Sequence, residues 1–505
     1  MTHAFSLVPA PLSVVPGTGP SFVFAPGVSL VTGPSPDEIS LGVLAADLIG
    51  RDSGFPLELL MGLDGVGPAL VIALDADAGP RAADVAERYC LTVTHESVAL
   101  RAPRVAGLVR GLATLRQLVT RGESGLLEVA AVVIEDAPRF AWRGLSLDVV
   151  RHFLSVEDVL LVLEIMADHK LNVLHLHLTD DQGWRIALAT RPLLTERSAQ
   201  SEVGDGPGGF YTAEDYATLL AFAAARHITI VPEIDIPGHV NAALHAYAEL
   251  TPSGIAPAAY TGIEVGFSRL HRDVPATRAF LTDVFTELAA LTPGAYVHLG
   301  GDEVEGLEPD ERAWFVRTVS NALRAAGKTP VGWQEIAGLE LEPGPVVQYW
   351  DMRLPSAPVL AAAAAGARVL LSPGSRVYLD MKYDASTTLG LDWAGYVELR
   401  DSYDWEPAEL IEGLPLDAII GVEAALWTET ITTRDELTLM LLPRLAAVAE
   451  VAWSVAENRD WERFRARVAG LATRWDDAGV VWRRSPQVDW PAGRVPAVPV
   501  ELATS

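Results

Sequence analysis

The feature that most restricts this 505-residue chain is a train of eight short apolar runs separated by longer stretches of helical periodicity. The runs are Gly144–Val150, Asn172–Leu178, Ile228–Ile234, Tyr296–Leu299, Pro330–Trp333, Val346–Tyr349, Arg368–Leu371 and Ile419–Leu426. Short continuous apolar runs are what strands buried on both faces look like. Between them, Val156–Lys170, Ala213–Arg226, Arg278–Leu291, Glu311–Ala326 and Glu436–Val451 read as amphipathic helices. Strands alternating with such helices build parallel α/β folds, and eight units in about 300 residues predict a (β/α)8 TIM barrel. An open doubly wound sheet is the competing architecture. It calls for a Gly-rich phosphate loop after its first strand, and Asp148-Val-Val-Arg-His152 is not one.

Two helix starts support this division. Ser155-Val-Glu-Asp158 and Thr212-Ala-Glu-Asp215 each place a hydroxyl three residues before a carboxylate, as a capping box does, so these acids are expected to be structural. Upstream, from about Pro20 to Asp136, β-like runs such as Ala69–Leu74 and Leu91–Thr94 alternate with helical segments, notably Val105–Val119. Ala137, Pro138 and Arg139 then interrupt the pattern. The expected organisation is a small α/β domain over residues 1–137, followed by a barrel with a C-terminal tail over 138–505. No repeat of fixed period occurs, and Ala361–Ala365 reads as an alanine-rich helix rather than a linker.

Lysine and arginine total 38 against 66 aspartates and glutamates, a formal charge of −28 with no basic run. The electrostatic footprint of a nucleic-acid or anionic-membrane binder is missing, so neither partner is expected. Cys90 is the only cysteine, which excludes an intramolecular disulfide and a cysteine-based metal cluster. The first twenty residues lack a basic region, and Pro9, Pro11 and Pro16 cut their apolar run, which suits neither a signal peptide nor a spanning helix. A soluble, cytoplasmic protein is expected, with secretion left open and the oligomeric state unknown.

In a barrel of this type the active site lies at the C-terminal ends of the strands. Those ends carry Arg151 and His152, Asp180 and Asp181, Glu233 and Asp235 with His239, Asp302 and Glu303, Trp333 with Glu335, Trp350 with Asp351, Tyr378 and Asp380, and Trp427 with Glu429. Indole and phenol faces beside carboxylates suit a sugar, whose C–H faces stack on rings while its hydroxyls need polar partners. The plain alternatives are tryptophans that fill the core and an Arg151 that is a buried structural ion-pair partner. In His298-Leu-Gly-Gly-Asp-Glu303, two glycines allow close backbone approach just before two adjacent carboxylates. Neighbours on a strand face opposite ways, so this pair is poorly placed as the usual nucleophile and acid of a glycosidase. One carboxylate as general acid/base with the other orienting is easier to build.

The chain resembles the family 20 glycoside hydrolases, the β-N-acetylhexosaminidases, and especially their bacterial exo-acting members. The resemblance is carried in order by Arg143-Gly-Leu-Ser-Leu-Asp-Val-Val-Arg-His-Phe153, His169-Lys-Leu-Asn-Val-Leu-His-Leu-His-Leu-Thr-Asp-Asp-Gln-Gly-Trp184, Val231-Pro-Glu-Ile-Asp-Ile-Pro-Gly-His239, His298-Leu-Gly-Gly-Asp-Glu303, Tyr378-Leu-Asp-Met-Lys-Tyr383 and Glu423-Ala-Ala-Leu-Trp-Thr-Glu429. It implies substrate-assisted retaining hydrolysis, in which the sugar's 2-acetamido oxygen attacks its own anomeric carbon to give an oxazolinium intermediate. By the same resemblance Glu303 is the general acid/base, Asp302 orients the acetamido N–H, and Tyr378 hydrogen-bonds the acetamido oxygen. Trp333, Trp350 and Trp427 match the aromatic cage, while Arg151, Asp380 and Glu429 match ligands of the ring hydroxyls. Asp180, Asp235 and His239 match the supporting polar shell, and Trp393 falls toward the leaving-group side. The resemblance also implies that the domain over 1–137 is non-catalytic and that the barrel over 138–505 is catalytic. The implied partner is a small-molecule or oligosaccharide substrate with a terminal N-acetylhexosamine, with no cofactor and no metal.

Three other readings are open at this stage. His175-Leu-His177 puts two imidazoles on one strand face, as metal-dependent amidohydrolase barrels do, although Thr179, Asp180 and Asp181 occupy that strand's end. A non-catalytic sugar-binding protein would keep the cage without turnover. A lacto-N-biosidase would release a disaccharide from the same fold.

Overall fold

The computed structural model describes residues 5–53, 56–62, 68–80, 86–339 and 344–492; residues 1–4 and 493–505, the outer ends of the two expected domains, lie outside them. Eight parallel strands close on themselves: β1 (Trp142–Asp148), β2 (Val173–His177), β3 (Thr229–Glu233), β4 (Tyr296–His298), β5 (Thr329–Trp333), β6 (Val346–Tyr349), β7 (Arg368–Leu371) and β8 (Ile419–Leu426). β8 pairs back onto β1, matching Gly144 with Glu423 and Ser146 with Ala425. All eight expected strands are present, and β6 to β8 keep the expected bounds.

Both expected capping boxes form. Ser155 accepts from the Asp158 amide and Thr212 from the Asp215 amide, and each carboxylate returns the bond, opening Val156–Asp168 and Ala213–Ala225. One expected helix does not hold together. Glu436–Val451 is split into Arg434–Leu441 and Arg444–Trp453, because Pro443 has no N–H to donate and its ring cannot continue the helix. Among the described residues no helix is long and apolar enough to cross a membrane.

The barrel interior is layered. Its lower end is apolar, filled by Trp142, Val173, Val231, Val331, Val346, Leu370 and Ile420. One pleat higher on the same strands, the inward residues become His175, Glu233, Gln348 and Glu423. The core of this barrel is therefore polar beneath the mouth, where most barrels stack branched apolar side chains.

Upstream of the barrel, a seven-stranded mixed sheet runs in the order Ser13–Pro16, Val132–Asp136, Tyr89–Val93, Ser97–Ala102, Ala69–Leu74, Ser29–Thr32, Glu58–Met61. Pro36–Ser53 and Val105–Leu118 pack on it and on each other. Val105–Leu118 is buried along most of its length because it also contacts the barrel helix Val156–Asp168.

Two buried ionic clusters join the sheet to the barrel. Glu87 receives Arg110 Nε at 2.7 Å and Arg143 Nη2 at 2.7 Å. Burial opposes the Glu87 charge, but Arg143 and Arg110 outweigh it and hold the carboxyl at about 2. Asp136 receives Lys170 Nζ at 2.8 Å, the Tyr89 hydroxyl at 2.7 Å and Trp453 Nε1 at 3.0 Å. The Lys170 ammonium also lies 4.6 Å from the centre of the Trp453 ring.

Candidate active site

The polar layer is the foundation of the mouth. Glu233 at the end of β3 is approached by His175 Nε2 at 2.9 Å, His177 Nδ1 at 2.7 Å and His298 Nδ1 at 3.0 Å, and accepts from Trp333 Nε1 at 2.9 Å. Glu423 accepts from Trp142 Nε1 at 2.7 Å and Gln348 Nε2 at 2.9 Å. Burial alone would discharge these histidines. The carboxylates prevail at two of them, raising His175 to about 9 and His177 to about 10, whereas burial wins at His298, which is lowered. His177 spends both ring nitrogens on carboxylates, Glu233 and, at 2.9 Å, Asp180. The His-x-His pair is thus a buried support for the carboxylates, as its early position on the strand suggested.

Asp180 follows β2 in a short ribbon, Thr179–Asp180 against Gly183–Trp184. It collects Arg151 Nη2 at 2.8 Å, His177 Nε2 and, at 3.1 Å, His239 Nδ1. Burial would raise its pKa, yet Arg151 and His239 hold it well below the ordinary carboxylate range. The opposite nitrogen of His239 points to Glu303, 3.8 Å from Oε2, and His239 itself is raised to about 10 against its burial, chiefly by Asp180. Arg151, Asp180 and His239 are therefore joined across the mouth, with the free nitrogen of His239 facing Glu303.

β4 stops at His298, so Asp302 and Glu303 do not lie on a strand and strand alternation is not what separates them. A tight loop does this: φ is +73° at Gly300, +110° at Gly301 and +43° at Glu303. Glu303 is a non-glycine residue in the left-handed region, an unfavourable conformation that a fold keeps where a side chain must be aimed. Asp302 is turned inward and buried, while the Glu303 side chain stays 35% exposed. Asp302 meets Asp235, an oxygen of each lying with a His239 nitrogen within 4.8 Å. Burial and then Asp235 push Asp302 well above the usual carboxylate range; burial and then Glu233 do the same to Asp235. Two facing carboxyls that both resist ionisation hold a proton between them.

The aromatic side chains form one box. Trp350 and Tyr378 stack at 6.2 Å with 8° between planes, Trp333 lies 5.9 Å from Trp427, and Tyr378 lies 6.2 Å from Trp427. Trp393 closes the outer edge, 5.7 Å from Trp350 and 5.6 Å from Tyr378, and is 37% exposed. Arg151 lies over Trp427 at 5.2 Å, which ties the cation to the cage.

At the far end, Asp380 and Glu429 are raised by burial first, then Asp380 by Glu429. Both Asp380 oxygens, Glu429 Oε2, Asp302 Oδ1 and Arg151 Nε have no hydrogen-bond partner within the protein. Buried polar atoms are nearly always paired, so a group of unpaired ones around an aromatic box marks where a hydroxylated ligand fits.

Three supports carry no assigned role in the sequence reading. Gln334 braces the cage, its Oε1 accepting from the Trp350 and Asp351 amides at 2.8 and 2.9 Å. Glu335 accepts from Trp350 Nε1 at 3.3 Å and is raised by burial to about 7. Glu423 sits inside a recognisable motif, but its function depends on β1, β2 and β6 side chains that only closure of the barrel brings to it.

Comparison with known proteins agrees with this geometry. The model of the glycosyl hydrolase family 20 catalytic domain matches residues 140–456, and that of the family's domain 2 matches residues 4–137. A β-N-acetylhexosaminidase of Cellulomonas fimi is 55% identical over 489 residues, covering 96% of this chain and 97% of that protein. The family 20 β-N-acetylhexosaminidase of Streptomyces coelicolor A3(2) superposes with a TM-score of 0.92 at 44% identity, covering 97% of this chain and 99% of that one. A mutant Streptomyces plicatus β-hexosaminidase in complex with product GlcNAc gives 0.92 at 43% identity, covering 97% and 98%. The chain belongs to glycosyl hydrolase family 20.

Proposed function

We propose that this protein is a retaining exo-β-N-acetylhexosaminidase that removes terminal β-linked N-acetylglucosamine or N-acetylgalactosamine through the substrate's own acetamido group. The observation that carries this reading is the pairing of an inward, proton-sharing Asp302 with an exposed Glu303 across a glycine-built loop. The carboxylate beside Glu303, Asp302, is buried and resists ionisation, so the acetamido oxygen serves as nucleophile. Tyr378 donates to that oxygen and Asp302 accepts from the acetamido N–H, whose growing positive charge draws Asp302 toward its ionised form.

As the C1–O bond breaks, Glu303 delivers its proton to the leaving oxygen. Glu303 then takes a proton from the water that opens the oxazolinium ring, so configuration is retained. His239, anchored by Asp180, faces the Glu303 carboxyl at 3.8 Å as a positioning group. Arg151, Asp380 and Glu429 take the ring hydroxyls, and Arg151 is locked by Asp148 and Asp180.

The test is hydrolysis of p-nitrophenyl N-acetyl-β-glucosaminide beside the β-glucoside that lacks the acetamido group. Rapid release from the first alone is expected. Comparable cleavage of both would mean that the protein supplies its own nucleophile.

A further inference from the structure

Arg444 opens the helix Arg444–Trp453, directly after Pro443, and is fully buried. A buried cation ordinarily has a carboxylate against it. Among the described residues no ion pair reaches Arg444, and four hydrogen bonds to carbonyl oxygens stand in its place. Nη1 donates to Met381 at 2.8 Å and to Val397 at 2.7 Å, and Nη2 to Leu379 at 2.6 Å and to Met440 at 3.1 Å. The centre of the Tyr383 ring lies 3.6 Å from the guanidinium carbon, and the Tyr383 hydroxyl donates to the Leu442 carbonyl at 3.2 Å.

Two of those carbonyls flank Asp380. The segment from Tyr378 to Tyr383 brings Tyr378 and Asp380 to the mouth without a helix or a full strand to hold them. Tyr378 makes one isolated bridge beside β8, where the Leu379 amide donates to Ala425 at 2.7 Å. Leu379 and Met381, the residues on either side of Asp380, are packed in the core. Among the described residues no other donor reaches the Leu379, Met381 or Val397 carbonyl, so all three depend on Arg444. Val397 follows Trp393, whose ring meets Tyr378 edge-on at 5.6 Å, and the same cation therefore ties down the outer edge of the cage.

We propose that Arg444 is a positioning residue for the reaction, which spans the Leu379 and Met381 carbonyls and so sets the Tyr378 hydroxyl against the acetamido oxygen, with Asp380 carried on the same segment. This rests on the hexosaminidase reading and adds to it a residue that touches no substrate. A guanidinium holds its donors in a rigid fork, so two carbonyls two residues apart are kept at one spacing; a lysine ammonium of equal charge cannot span them. Carbonyl partners also leave the charge uncancelled. Burial and then Glu429 oppose the ionisation of Asp380, and Arg444 favours it.

The test is a double-mutant cycle on kcat/KM for p-nitrophenyl N-acetyl-β-glucosaminide, using Arg444→Lys, Tyr378→Phe and the two together. Arg444→Lys is expected to cost about 10²-fold, chiefly in kcat, the effect of a catalytic group displaced by about 1 Å. Beside Tyr378→Phe that loss should shrink at least about threefold, because the hydroxyl through which Arg444 acts is already gone. A purely structural arginine would lower activity by the same factor on both backgrounds. Equal losses, or wild-type activity in Arg444→Lys, overturn the positioning role. If Arg444→Lys does not fold, Tyr383→Phe takes its place, since it removes only the hydroxyl that ties the segment to Leu442. A loss of about threefold that disappears beside Tyr378→Phe is then expected, and a loss that is absent or equal on both backgrounds overturns the proposal. A wild-type protein that does not cleave this glycoside overturns the hexosaminidase reading, and the role of Arg444 falls with it.

Discussion

Gly300 and Asp235 are packed so closely that a Cβ on the glycine would lie 1.7 Å from Asp235 Oδ1. The same carboxylate oxygen accepts from the Gly301 amide at 3.0 Å, so Asp235 shapes the turn that delivers Asp302 and Glu303. Gly300→Ala must displace either the turn or Asp235, and its φ of +73° adds strain. We expect a loss of about 10²-fold in kcat, the cost of a misplaced catalytic group, with the thermal midpoint moved far less than the rate. Wild-type turnover in this variant would show that the loop does not position the pair.

Replacing Glu303 by Gln separates leaving groups by basicity. The loss should be roughly 10²–10⁴ for chitobiose and much smaller for a p-nitrophenyl glycoside, which departs without a proton. Equal losses on both would remove Glu303 from the acid role. Asp302→Asn should slow both substrates alike, since it acts on the acetamido group they share, and an unchanged rate would exclude that contact.

Glu335 gives a signed prediction for pH. It lies near Glu303 and is raised to about 7, with burial the leading cause and Glu303 among the charges acting on it. As pH rises through about 7 Glu335 ionises and becomes a stronger acceptor for Trp350 Nε1, which steadies the cage. KM should therefore fall as pH rises through about 7, and Glu335→Gln should remove that inflection. An inflection that survives in the variant would show that Glu335 is not its source.

Stability should fall on both sides of a plateau. His177 and His239 are raised from 6.5 to about 10, so they bind a proton more tightly folded than unfolded. Their contribution is complete below about 6.5 and is lost as pH climbs toward about 10. Asp180 is held well below 3.8, so its contribution is complete above that value and disappears as pH falls. Denaturant midpoints measured between pH 3 and 10 should peak between about pH 4 and 6.5. A midpoint that rises from pH 7 to 10 would contradict the buried network.

Removal of the Lys170 charge should be costly. Lys170→Met leaves Asp136 buried with its ammonium partner gone, which costs about 3–5 kcal/mol when a buried pair is broken from one side. Calorimetry is the check, and a loss below about 1 kcal/mol, the range of an exposed pair, would show that Asp136 is satisfied by Tyr89 and Trp453.

Strand number, strand order and most of the mouth were legible because each depends on local pattern. Apolar runs mark β1 to β8, and the residue after each run marks the mouth. The break at Pro443 was missed because apolar periodicity continues on both sides of it, and periodicity was allowed to outweigh the missing N–H. The separation of Asp302 from Glu303 was attributed to strand alternation, whereas positive φ at Gly300, Gly301 and Glu303 produces it. The parts that stayed hidden, Glu233 shared by three histidines and Gln334 bracing Trp350, are relations between distant strands. No window of sequence contains both partners.

The ionic seam between sheet and barrel bears on how such a chain can be inherited or engineered. Arg143 lies in the barrel's first strand, and the carboxylate that neutralises it, Glu87, lies in the turn leading into the Tyr89–Val93 strand of the upstream sheet. Lys170 precedes β2 and is neutralised by Asp136 from the last strand of that sheet. A barrel cut away at residue 138 would carry both cations into a surface stripped of their counter-charges. Domain shuffling, chimeras and minimal versions of this enzyme must therefore move the two halves together, since each was balanced against the other rather than against water.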